Sequence, residues 1–154
     1  MGAPKITEKE NLSGCLDFER FSQELQLLEQ PPWTVFADYA QTMKVINEKE
    51  IILSICYSVP FKVPYLFIEN LSGDEIHEII GYRSEGFLDV IVSRDDHPIT
   101  GTTGWACHPC RTAEMMTHLN PPSYLLCWLS IYGAPFGLTP SLHAIAQTFN
   151  KKIQ

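Results

Sequence analysis

The chain has no long apolar run. Its longest nearly apolar stretch, YLLCWLSIY at 124–132, is well short of the roughly 18 residues that read as a membrane span. It also has no basic run. Eleven Lys and Arg stand against eighteen Asp and Glu, a formal net charge of -7, which makes a poor ligand for nucleic acid or an anionic bilayer. The opening MGAPKITEKENLSG carries no apolar core, so no signal peptide is expected, and Ile6 in place of Ser or Thr spoils a myristoylation motif. Cysteines are few and odd in number, five in 154 residues. They are expected to be reduced thiols of a cytoplasmic protein rather than a disulfide framework. No internal repeat or low-complexity tract is present. What remains, 45% hydrophobic residues in 17.5 kDa, is enough for one self-sufficient core. The expected organisation is a flexible polar leader over residues 1–12 and a single domain over 13–154.

Along the domain the patterns alternate. Leu16, Phe18, Phe21, Leu25 and Leu28 fall near one face at helical spacing, with Ser13 as the expected N-cap and Pro31-Pro32 as the stop. Strand-like runs follow at Trp33–Tyr39, Ile51–Val59 and Val63–Glu69. Short turns separate them, which predicts an antiparallel meander, with Pro60 and Pro64 marking strand ends or an edge. DEIHEII at 74–80 reads as a short helix and FLDVIV at 87–92 as a strand. HPITGTTGWAC, rich in Gly and Pro, reads as loop or irregular strand. TAEMMTHL after Cys110 reads as a short helix. Asn120 with Pro121-Pro122 is the expected start of a helix over SYLLCWLSIY that Gly133 ends. A last helix is expected from Thr139-Pro140, burying a stripe of Leu142, Ile145, Ala146 and Phe149. The fold class is therefore α+β.

Chemistry concentrates in Gly101 to Arg111, GTTGWACHPCR. Cys110 stands at the start of a predicted helix, whose end carries partial positive charge, beside His108 and Arg111. That setting favours thiolate, the attacking form of cysteine. Other readings use the same residues. Cys107 and Cys110 form a C-x-x-C that can be a thiol–disulfide pair, although it lies too late in the chain for a thioredoxin arrangement. Structural zinc would need two more ligands, with His118 and Cys127 to supply them, and no second ligand pair has the right spacing. A cysteine protease would need a base from His77, His97 or His143. Cys15 reads as structural.

His108-Pro109-Cys110 followed by RTAEMM, the downstream YLLCWLSIYGAPFGL at 124–138, and Tyr57 with VPYLF at 63–67 occur in an order that resembles the autophagy conjugating enzymes. These are relatives of ubiquitin-conjugating enzymes. The resemblance implies their fold, an antiparallel β-meander flanked by helices, and no cofactor or metal. It implies that Cys110 takes a ubiquitin-like modifier as a thioester from an activating enzyme and passes it to an acceptor lysine. Of the family's two branches, the compact chain resembles the one with a protein acceptor rather than the one with a lipid acceptor. The modifier is then autophagy-related protein twelve and the acceptor autophagy-related protein five. The asparagine that ubiquitin-conjugating enzymes place shortly before the cysteine is absent, so the oxyanion donor falls to His108, Thr112 or backbone amides. Tyr57 is expected to guide the lysine, or else to pack the meander. An edge at Val63–Glu69 is expected to pair with a partner strand, and Trp105 and Phe87 are expected either to touch partners or to fill the core. A catalytically inactive adaptor that binds the modifier uses the same fold.

Overall fold

The computed structural model describes residues 13–83, 92–117, 119 and 121–153. The leader, Phe87, His118 and Asn120 lie outside them. The described strands are β1 (Thr34–Val35), β2 (Ala40–Ile46), β3 (Lys49–Ser58), β4 (Val63–Glu69), β5 (Val92–Asp96) and β6 (Thr103–Cys107). They form one sheet in the order β1-β2-β3-β4-β6-β5, every neighbour antiparallel. The helices are α1 (Phe18–Leu25), α2 (Gly73–Arg83), α3 (Thr112–Met116), α4 (Tyr124–Tyr132) and α5 (Leu142–Ile153). The α+β meander is as expected, with corrections that have physical causes.

The first concerns Val63–Glu69, which is an edge only in part. β4 lies between β3 and β6, but β6 reaches only Phe67 and Ile68. Pro64, second in the strand and beyond that short ladder, stands as expected at a strand end, where a residue with no N–H is tolerated. The run expected at Trp33–Tyr39 is a strand only at Thr34–Val35, and the longer β2 follows it. β2 was hidden because its outward side chains include Met43 and Val45, 55% and 70% exposed, which blurs the apolar/polar alternation.

The core lies where one face of the sheet meets α1 and α4. Ile51, Leu53, Ile55, Leu66 and Ile68 from the sheet pack with Phe21, Leu25, Leu125, Trp128 and Leu129. Asp17, not Ser13, caps α1: its carboxylate accepts from the Arg20 N–H at 2.7 Å. Ser123, one residue past Pro121-Pro122, caps α4 by accepting from the Leu126 N–H at 3.2 Å. Glu24 of α1 bolts the two helices together, accepting from the Ser123 hydroxyl at 2.7 Å and the Leu125 N–H at 2.8 Å. Of the stripe expected on α5, Leu142, Ile145 and Ala146 face outward, and the Phe149 side chain lies outside the described residues. Ala144 and Thr148 are buried, whereas Leu142 is 86% exposed and Ile145 37%. Ser141, rather than Thr139-Pro140, starts that helix, its hydroxyl accepting from the Ala144 N–H, and the small Ala144, with Thr148, meets the body.

The second face of the sheet holds a small cluster of Cys56, Phe67 and Ala106, roofed by His97. The imidazole lies edge-on to Tyr39 and Phe67 at 4.7 and 5.3 Å. Its Nδ1 accepts from the Ile99 and Thr100 N–H groups, each at 3.1 Å, so the neutral ring carries its proton on Nε2, 3.6 Å from Cys56 Sγ. Burial lowers the His97 pKa, against a weaker opposing pull from Glu69. The unfolded chain, with histidine near 6.5, then binds a proton that the fold resists. Stability is flat above about pH 6.5 and falls as the pH drops below it. The melting temperature should decline between about pH 6.5 and 5, and His97→Gln, less stable at pH 7.5, should show a shallower decline over that interval.

Candidate functional site

β6 ends at the buried Cys107, after which the chain climbs out of the sheet and dives back within five residues. Pro109–Arg111 form a single 3-10 turn with His108 as its cap, and α3 follows at once. Cys110 stands exposed at the top of the turn, and Thr112, 2% exposed, anchors its far side. His108 is held extended (φ -62°, ψ 126°), as a residue preceding proline must be. Its Nδ1 accepts from the Cys110 N–H at 3.2 Å, and its ring lies edge-to-face with Phe61 at 5.7 Å. Arg111 reaches Glu114 at 3.6 Å with both side chains largely exposed, a pair worth little in water. The short helix expected at TAEMMTHL is α3, five residues long.

The other sequence-predicted residues divide. Cys107 lies 6% exposed in the core, and burial alone pushes its thiol up to about 12. Thr112 does not face outward beside Cys110. Its hydroxyl meets that of Tyr132, whose phenol burial pushes up and which feels the charges of Cys110 and Arg111. Tyr57 donates its hydroxyl to the Leu16 carbonyl at 2.7 Å and packs against Phe18 and Phe21. Trp105 is tied down: its Nε1 donates to the Leu71 carbonyl at 2.8 Å, and Arg94 lies over its ring at 4.9 Å. His77 bonds the Gly73 carbonyl and His143 bonds Gln147, each on its own helix. Among the described residues no three His, Cys, Asp or Glu side chains converge as a metal-ligand set, and Cys127 is a half-buried thiol on α4.

Sequence reasoning missed a strap. Residues 14–16 cross α3 directly behind the cysteine turn. Gly14, at φ +74°, lies so close that a Cβ there would stand 1.8 Å from the Ala113 carbonyl oxygen and 2.7 Å from Thr117 Oγ1. The strap is fixed from three sides. The Gly14 carbonyl accepts from the Tyr124 hydroxyl at 2.6 Å, the Leu16 carbonyl accepts from Tyr57, and the Leu16 N–H donates to the Lys62 carbonyl at 2.8 Å. The one available signal was a glycine at the end of a polar leader, with nothing to say what it meets. Tyr132 and Phe61, the other missed neighbours of the turn, were hidden for the same reason.

An antiparallel sheet with helices on one face, presenting a single exposed cysteine on a His-Pro turn, is the architecture of a ubiquitin-conjugating-type protein. The sequence model of the autophagocytosis-associated protein active-site domain matches residues 22–142, and the chain belongs to that family. It is 32% identical over 104 residues to the human ubiquitin-like-conjugating enzyme ATG10, a match that takes in 54% of this chain and 47% of the relative. The chain thus matches about half the length of that curated relative. The fold is similar to the crystal structure of the autophagic E2, Atg10, with a TM-score of 0.52 at 15% identity, covering 77% of this chain and 94% of that one.

Proposed function

We propose that the chain is a conjugating enzyme of autophagy in which Cys110 carries a ubiquitin-like modifier as a thioester. The observation that supports it best is the exposure of Cys110 on the His-Pro turn, with the His108 imidazole held on the Cys110 N–H beside it. The Cys110 thiolate attacks the carbonyl carbon of the modifier's C-terminal glycine on the activating enzyme and expels that enzyme's thiolate. An acceptor lysine amine then attacks the new thioester. The tetrahedral adduct collapses, the amide forms, the amine proton passes to solvent, and Cys110 leaves as thiolate.

His108 enters as a donor. With Nδ1 accepting from the Cys110 N–H, its neutral ring bears the proton on Nε2, which suits a developing oxyanion and not the abstraction of a lysine proton. Donors of that kind are worth roughly 10²–10³ in rate. The Cys110 N–H is already engaged by His108. Thr112 acts indirectly, holding the far end of the turn against Tyr132. Tyr57 acts on the lysine step through the strap that backs α3. Autophagy-related protein twelve as modifier and a lysine of autophagy-related protein five as acceptor are the partners this reading carries, in the cytoplasm.

The test is a charging reaction with ATP, the activating enzyme and the modifier, chased with the protein acceptor or with phosphatidylethanolamine vesicles. An adduct that thiol reductant removes, and that the protein acceptor discharges, supports the proposal. No adduct while the activating enzyme itself is charged defeats it and favours the adaptor. The thiol–disulfide reading needs Cys107 as a second thiolate, which its burial opposes. Cys107→Ala should leave charging and discharge within about twofold of wild type at a stability cost of roughly 1 kcal/mol, seen in paired transfer assays and melts.

A further inference from the structure

The β3–β4 turn leaves an aromatic in water beside the exposed cysteine. Phe61 is 41% exposed and its neighbour Val59 74%, so the core does not account for either. The turn itself does not require a ring at 61. Its geometry comes from Pro60, from Lys62 in the left-handed region at φ 55°, and from the Lys62 N–H donating to the Ser58 carbonyl at 2.8 Å. The Phe61 backbone is fixed on both sides. Its N–H donates to Ser58 Oγ at 3.4 Å, its carbonyl accepts from the Cys15 thiol at 3.7 Å, and the next carbonyl accepts from Leu16 of the strap. The Phe61 ring therefore projects from a rigid mount.

That ring meets one functional group, the imidazole of His108, at a 67° interplanar angle. His108 has little freedom elsewhere, because Pro109 restricts its backbone to the extended region. What remains is rotation of the side chain, and two contacts set it: the Cys110 N–H on Nδ1 and the Phe61 ring. We infer that Phe61 is a positioning residue for the transfer step, acting through His108 by holding the imidazole in the orientation that keeps Nδ1 on the Cys110 amide and its proton on Nε2. This rests on the proposed role of Cys110 as the thioester carrier.

The experiment is single-turnover discharge of the charged protein to free lysine, in wild type, Phe61→Leu, Phe61→Tyr, His108→Ala and the Phe61→Leu/His108→Ala double variant. An edge-to-face aromatic pair is worth about a three- to tenfold change in rate. Phe61→Leu, which keeps apolar bulk and loses the ring, should slow discharge by that factor, and Phe61→Tyr should restore it. The double variant should be no slower than His108→Ala alone. Losses that multiply in the double variant would overturn the inference and assign Phe61 to direct contact with a partner, and so would an unchanged Phe61→Leu. Melting curves within a few degrees of one another, as expected for an exposed side chain, exclude unfolding as the cause. If wild type takes no charge, the thioester reading fails, and the inference is still decided by the rate of Cys110 alkylation with iodoacetamide in the same five proteins. There too, multiplying effects or an unchanged Phe61→Leu overturn it.

Discussion

Cys110→Ser should stop turnover while leaving a visible trace of the first step. A serine hydroxyl placed on the same turn can accept the modifier's carbonyl from the activating enzyme slowly, and the product is an oxygen ester. Such an ester resists thiol reductant and is cleaved by alkali. It reacts poorly with an amine, because the leaving alkoxide is far more basic than a thiolate, so transfer to the lysine should fall by at least about a thousandfold. The other four cysteines supply the controls. Cys56 and Cys107 are buried, and Cys15 and Cys127 are partly so. Cys15→Ser and Cys127→Ser should charge and discharge as wild type does. Non-reducing gels resolve every outcome, and a reductant-sensitive adduct surviving on Cys110→Ser would remove Cys110 from its role.

The largest effect on stability should come from Gly14→Ala. Two costs add there. The backbone stands at φ +74°, which an alanine adopts only under strain, and the new methyl would overlap the Ala113 carbonyl. The strap must lift, releasing the Tyr124–Gly14 and Tyr57–Leu16 hydrogen bonds. A loss of about 3–5 kcal/mol follows, read as a drop of roughly 10 °C in melting temperature. Gly101→Ala separates the two costs. Gly101 has the same left-handed backbone, φ +76°, with nothing within 4 Å of the added methyl, and should lose only about 1–2 kcal/mol. Equal losses at the two positions would show that the strap does not press on α3. Because α3 continues directly from the cysteine turn, Gly14→Ala should also slow discharge of Cys110 at temperatures where the protein is still folded.

The residues that the sequence made legible are those whose role is local. His108 and Pro109 shape one turn and Cys110 crowns it, so three consecutive letters carry most of the exposed thiol's setting. β3 and β4 announce themselves through dense apolar residues divided by a short turn, and α4 through YLLCWLSIY. Illegible features were those decided by what lies across the fold. β4 is joined on its second side only at Phe67 and Ile68, and no spacing in the sequence says that β6, not β5, reaches it there. α5 turns its small residue inward and leaves Leu142 in water, the reverse of what its periodicity predicts, because Ser141 sets its start. Tyr132, Phe61 and Gly14 join the site through contacts with residues far away in the chain, and no spacing rule encodes such a meeting. The family resemblance anticipated the architecture and pointed to Cys110, and said nothing of the strap.

The strap also sets an order of assembly. Tyr124 meets Gly14 across 110 residues, and Glu24 meets Ser123 and Leu125 across 99 and 101. Closing such spans costs more chain entropy than pairing β1 to β4, whose strands follow one another through short turns. A nascent chain emptied of the ribosome as far as Cys110 already holds every described strand, yet α4 does not exist to hold Gly14 down. The thiol is thus synthesised after the strap and the sheet but before α3 and α4, and these lock around it only when the two halves of the chain meet. The setting of the Cys110 thiol is a late product of folding, completed by the last long-range closure.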